Sequence, residues 1–166
     1  MKTLQTKTIT LNEAGTHPIE LTESGHYVIE LNVPGVEAVV GGVFSVTGSD
    51  NLTIEIVLHH KAAHTRAETT LKGVAADHSS ISFKGKIVID ENCPDTQSFL
   101  TERILLLSDT ARAEAVPDLE ILSDDVSCSH AASITNIPES QLFYLMSRGL
   151  SRQSAEELIV AGFLGK

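Results

Sequence analysis

Over the first two thirds of the chain, apolar and polar residues alternate with a period of two rather than 3.6. Tyr27, Ile29, Leu31 and Val33 fall on one face of their segment, and Leu52, Ile54, Ile56 and Leu58 fall on one face of theirs. Both patterns predict half-buried strands. Further strands are predicted over Val43 to Val46, Thr69 to Val74, Ser80 to Ile89, Ile104 to Leu107 and Leu119 to Leu122. Gly41-Gly42, Gly48-Ser49-Asp50, Asp77-His78 and Asn92-Cys93-Pro94 read as the turns between them. Many short strands separated by turns fit a sandwich, a barrel or a β-solenoid, and no exact repeat chooses among the three.

The last thirty residues have a different pattern. Pro138 suits the first turn of a helix, Gln141 to Arg148 are good helix formers, and Gly149 is a C-terminal stop. Ser151 is placed to cap a second helix, with Ala155, Leu158, Ile159 and Phe163 along one stripe. The expectation is a helical hairpin following a β region.

The 166 residues suit one core-forming domain, with or without a small appendage. Lys and Arg total 12 against 22 Asp and Glu, a net charge of -10 that opposes binding to nucleic acid or to an anionic membrane surface. No apolar stretch approaches the roughly 20 residues needed to span a bilayer. Met1-Lys2-Thr3-Leu4-Gln5 has no apolar run of the secretory kind, so the expected location is cytoplasmic. In that compartment the two cysteines, Cys93 and Cys128, are expected to be free thiols.

The densest cluster of functional groups is Ser123-Asp124-Asp125-Val126-Ser127-Cys128-Ser129-His130. On a strand, Asp124, Val126, Cys128 and His130 project to one side, setting a thiol beside an imidazole as a soft metal pair. Two ligands do not complete a tetrahedral shell, and the alternative is a cysteine packed near a satisfied surface histidine. The tract His59-His60-Lys61-Ala62-Ala63-His64-Thr65-Arg66 reads as a surface loop, since neighbouring histidines on a strand face opposite ways and the basic residues oppose a cation. Asp109, Glu114, Asp118 and Glu120 are acidic enough to suggest glycosidase-type carboxylate pairs, yet such pairs occur in almost any acidic chain.

Taken together, several segments resemble the SufB/SufD family of the SUF iron-sulfur cluster assembly system. They are His60-Lys61-Ala62-Ala63-His64-Thr65-Arg66, Lys72-Gly73-Val74 and Ser82-Phe83-Lys84-Gly85-Lys86-Ile87-Val88-Ile89. Downstream come Leu105-Leu106-Leu107-Ser108-Asp109-Thr110-Ala111-Arg112, Pro117-Asp118-Leu119-Glu120-Ile121 and Asp124-Asp125-Val126-Ser127-Cys128-Ser129-His130-Ala131-Ala132. Gln141-Leu142-Phe143-Tyr144-Leu145-Met146-Ser147-Arg148-Gly149-Leu150 completes the series, in SufD-like order. The similarity is clear from about Asn51 to Phe163.

The resemblance implies a right-handed parallel β-helix over residues 1–135 and a C-terminal helical hairpin over 136–166, shorter than is typical of the family. It further implies a non-catalytic scaffold whose β-helix pairs with a SufB-like chain or a second copy, and whose helices recruit a SufC-like ATPase. His130 falls on the histidine that SufD-type chains place near the subunit interface, with Cys128 beside it as a second candidate ligand. Phe143, Tyr144 and Arg148 are the candidate partner-binding residues, with core packing the alternative for the two aromatics. No stably bound cofactor is expected, at most a transient iron-sulfur cluster. Ala111 stands where SufB-type chains carry a cysteine, and Ala131 where they carry a glutamate, which makes the chain SufD-like. A self-associating β-helix module without cluster chemistry is the competing expectation.

Overall fold

A computed structural model describes residues 4–165. Ten strands alternate between two parallel sheets, so that two strands make one coil of a β-solenoid. One sheet has the order β1 (Thr6–Leu11), β3 (Gly25–Leu31), β5 (Asn51–His60), β7 (Ser80–Ile89) and β9 (Arg112–Ile121). The facing sheet has the order β10 (Val126–Asn136), β8 (Thr96–Leu106), β6 (Arg66–Ala75), β4 (Val36–Val46) and β2 (Gly15–Leu21). The solenoid alternative is the one that forms.

Stacking explains the period-two pattern. Asn51 pairs with Ser80 and Ser80 with Arg112, so successive coils take 29 and then 32 residues and bring inward positions directly above one another. Ile29, Leu58 and Ile87 make one fully buried column, and Ile54 and Phe83 part of another. Because both edges of each interior strand pair with a neighbour, the backbone needs are met within the sheets and the inward side chains only have to fill the interior.

The corners recur as well. Gly35, His64, Asp95 and Asp125 all have a left-handed backbone, with φ of 82°, 56°, 53° and 56°. The amide of Gly35 donates to the His64 carbonyl, that of His64 to Pro94, and that of Asp95 to Asp125. Aspartate tolerates this conformation better than most residues, so one glycine in the column suffices. At another corner Asp77 (φ 56°) accepts from the Gly48 amide through its carboxylate at 2.9 Å.

Several expectations are corrected. Gly41-Gly42 is not a turn but lies inside β4. A Cβ at Gly42 would come within 2.7 Å of the Phe44 ring and 3.0 Å of Leu71, so the absent side chain makes room for inward neighbours. His59 and His60 are not loop residues; they end β5, and His60 is fully buried, with Nδ1 2.8 Å from the Thr65 hydroxyl. Asp124 sits in the turn before β10 and does not share a strand face with Cys128 and His130. Strands β1 and β2 escaped the pattern; β2 is an edge strand, where Pro18 is tolerated.

The helical hairpin forms as α1 (Glu139–Ser147) and α2 (Arg152–Leu164). Pro138 is the N-cap of α1, and the Ser151 hydroxyl accepts from the Ser154 amide at the start of α2. The expected stripe holds at Ala155, which is fully buried, but Leu158 is 53% exposed and Leu164 takes the buried place. Leu164 packs with Val74 and Leu105, flanked by Ile137, Val160 and Phe163. Val74 and Leu105 alternate with the interior-facing Gly73, Ala75 and Ile104, so the hairpin lies against the outside of the β6–β8 sheet and leaves the end of the solenoid uncovered.

Candidate functional site at the open end

The last coil, β9 and β10, pairs with β7 and β8 on one side and with no strand among the described residues on the other. Its inward positions continue the interior columns: Leu119 follows Ile87, Ile121 follows Ile89, and Ile134 follows Ile104. Nothing lies above them, and Leu119, Ile121 and Ile134 are 46%, 39% and 43% exposed. An unpaired strand edge is a ready template for pairing, and here an apolar mouth lies beside it.

His130 and Cys128 both stand at this mouth. In β10 they pair with Leu100 and Ser98 of β8 and face the interior on the same side of the strand. The sequence therefore placed the thiol and the imidazole together correctly. Burial pushes the Cys128 thiol upward, offset in part by a hydrogen bond with the Ser98 backbone, so the thiol form is favoured. The His130 side chain is only 8% exposed, and burial pushes its ring below the ordinary histidine value. The neutral imidazole, the form that ligates metals, is the favoured one.

A third group in this region was not anticipated. Glu102 of β8 is fully buried, and burial pushes its carboxyl up to about 7. Its Oε2 lies 3.3 Å from His130 Nε2, yet the two groups are out of line, and neither has a hydrogen-bond partner. The hydroxyls of Thr69 and Ser98 are likewise buried and unpartnered. Across the interior, Gly85 of β7 makes the space: a Cβ there would stand 2.1 Å from Leu100 Cδ2 and 2.9 Å from Glu102 Oε1. The signal for Glu102 was present, since counting back by twos from Ile104 and Leu106 puts it on the inward face with Leu100.

The donor set of thiol, imidazole and carboxyl suits iron or zinc chemically. Among the described residues, however, no three His, Cys, Asp or Glu side chains are grouped so as to hold a metal ion. Ala111 is buried just before β9 and offers no donor. Any cluster carried here would take further ligands from outside these residues.

The remaining candidates lie elsewhere. Phe143 and Tyr144 on α1 are 75% and 57% exposed, so they do not pack into the core, and Arg148 stands over the Tyr144 ring at 5.3 Å. His59 pairs with Asp90 at 2.8 Å and His64 with Asp95 at 2.9 Å, which occupies two histidines of the tract in links between coils. Asp118 and Glu120 lie on the outer face of β9 and share Lys86, at 3.4 and 2.7 Å. Cys93 and Cys128 are free cysteines. Among the described residues, no helix is long and apolar enough to cross a membrane.

The site thus sits on a parallel β-solenoid with an open, histidine-bearing mouth and a helical hairpin on its flank. Residues 22–163 match the family described as SUF system FeS cluster assembly, SufBD core domain, and the chain belongs to that family. It is 42% identical over 107 residues to an iron-sulfur cluster assembly SufBD family protein of Pyrococcus horikoshii, covering 64% of this chain and 24% of that protein. It is 37% identical over 116 residues to the iron-sulfur cluster assembly protein SufD of Bacillus subtilis, covering 70% of this chain and 26% of that one. With SufD of Escherichia coli it shares 33% over 106 residues, 64% of this chain and 25% of the relative. The chain thus spans about a quarter of the length of the curated relatives it matches.

Proposed function

We propose that this chain acts in iron-sulfur cluster assembly as a SufD-like, non-catalytic scaffold component that works by association in the cytoplasm. The observation that carries the reading is the open last coil: apolar residues in register with a buried core, left exposed at an unpaired edge, with His130 and Cys128 at the same mouth. A SufB-like chain, or a second copy of this one, is the partner that covers this end. The iron-sulfur cluster is cargo held transiently between partners, with His130 as this chain's principal ligand and Cys128 beside it. The exposed Phe143 and Tyr144, with Arg148, form the contact for a SufC-like ATPase on the flank.

The test is anaerobic co-expression with a SufB-like chain and a SufC-like ATPase, followed by cluster reconstitution. The expected result is a stable complex whose cluster absorbance falls at least about tenfold in His130→Ala while the complex itself survives. A chain that recovers only itself, or a His130→Ala complex that reconstitutes normally, overturns the assembly role or the ligand role in turn.

A further inference from the structure

Glu102 is the group that packing does not account for. Its carboxyl is fully buried, with no hydrogen-bond donor to either oxygen. A buried carboxyl without a donor is costly, and an apolar side chain of similar volume would serve the core as well or better. The inward row in which it stands is otherwise small or apolar: Gly42, Leu71, Glu102, Ala132. The polar group that faces it is His130, whose Nε2 is also buried and also without a hydrogen-bond partner, 3.3 Å away. Two otherwise unsatisfied groups on adjacent coils therefore lie 3.3 Å apart beneath the mouth, close but out of line.

We propose that Glu102 is the positioning residue for His130: its carboxylate receives the imidazole Nε2–H from inside the solenoid, fixes the ring, and leaves Nδ1 as the nitrogen offered to a ligand. The proposal deepens the function above and rests on His130 acting there as a ligand. Histidines that bind metals ordinarily donate their other N–H to a carboxylate or carbonyl, which orients the ring and strengthens it as a donor. Such bonds are often long or misaligned before the ligand arrives, as this 3.3 Å contact is, and tighten once it does. Gly85 belongs to the same device, because the space it leaves is where the Glu102 carboxyl is stored.

The experiment is nuclear magnetic resonance on the full chain with nitrogen-labelled histidine, at about pH 8, where the carboxylate form predominates. The wild type is expected to show a downfield, slowly exchanging proton on His130 Nε2. Glu102→Gln keeps it, since the amide oxygen still accepts, and Glu102→Leu loses it while remaining folded and at least as heat-stable as the wild type. Should Glu102→Leu not fold, Glu102→Met makes the same test. With Zn2+ as the probe, the wild type is expected to shift Nδ1 of His130, with affinity weakened roughly 10- to 100-fold in the apolar variant. A protected Nε2 proton that survives removal of the carboxyl overturns the proposal, and so does a Zn2+ shift on Nε2 in place of Nδ1. A protected proton with no Zn2+ response overturns the ligand role of His130 while upholding the hold of Glu102 on the ring, so the two readings fail separately.

Discussion

The coil built by β7 and β8 and the coil built by β9 and β10 present the same class of residue to the interior and meet opposite fates. Ile87, Ile89 and Ile104 are fully buried; their register partners Leu119, Ile121 and Ile134 are each more than a third exposed. Alternation along a strand states which way a side chain points, and only the presence of a further coil decides whether water is excluded from it. The last coil therefore carries core-type residues that no further coil among the described residues covers.

The most direct way to break this comparison is to truncate matched positions. Ile87→Ala is expected to cost about 2–5 kcal/mol of folding stability, the range for an isoleucine emptied from a closed core, and Leu119→Ala less than about 1 kcal/mol. Urea denaturation of the isolated chain reads both. Equal losses would mean that the open end is already covered in solution, and light scattering would then show the covering copy.

Acid sharpens the contrast from within the closed coils. Burial holds His60 down to about 4, against an ordinary value of 6.5. Below pH 6.5 the unfolded chain takes up a proton that the folded chain refuses until about pH 4. Stability is thus retained above pH 6.5 and falls across that window, by about 3 kcal/mol in total. Glu102, whose carboxyl is raised, moves the opposite way, so the effect is read as the difference between the wild type and His60→Leu at each pH. A pH-independent difference would place His60 in contact with water.

A last effect concerns the boundary between the two regions. Gly85→Ala drives a methyl group against Leu100 and Glu102 and is expected to cost about 1–3 kcal/mol, partly relieved by Leu100→Val. A neutral Gly85→Ala would show that Leu100 and Glu102 both have room to move away from β7.

Much of this arrangement could be read from the residues. Ser80 to Ile89 alternates cleanly and is a strand with the predicted bounds; Ser151 and Gly149 mark helix ends where they were expected. Cys128 and His130 share a face because a strand dictates it. What escaped were features that depend on neighbours distant in sequence. The coil repeat is invisible as identity because stacking asks only for an inward apolar group, and the corner loops differ in length. Gly41-Gly42 looked like a turn because glycine's need for space, set by Phe44 and Leu71, cannot be told from its conformational freedom until the coils are stacked. Glu102 sat in plain alternation with Leu100 and Ile104, but a charged residue in such a run is read as surface until its facing histidine is known.

The recurrent corner at Gly35, His64, Asp95 and Asp125 has a further consequence. Because each coil turns in the same way at the same place, the solenoid is extended in equal steps, each lifting its end by one strand spacing of about 4.8 Å. The polar groups at the mouth, Glu102, Cys128 and His130, come from β8 and β10. Evolution can therefore lengthen or shorten the stack beneath them as one adjusts a spacer, changing how far the mouth stands from the opposite end of the solenoid without redrawing the chemistry at the tip.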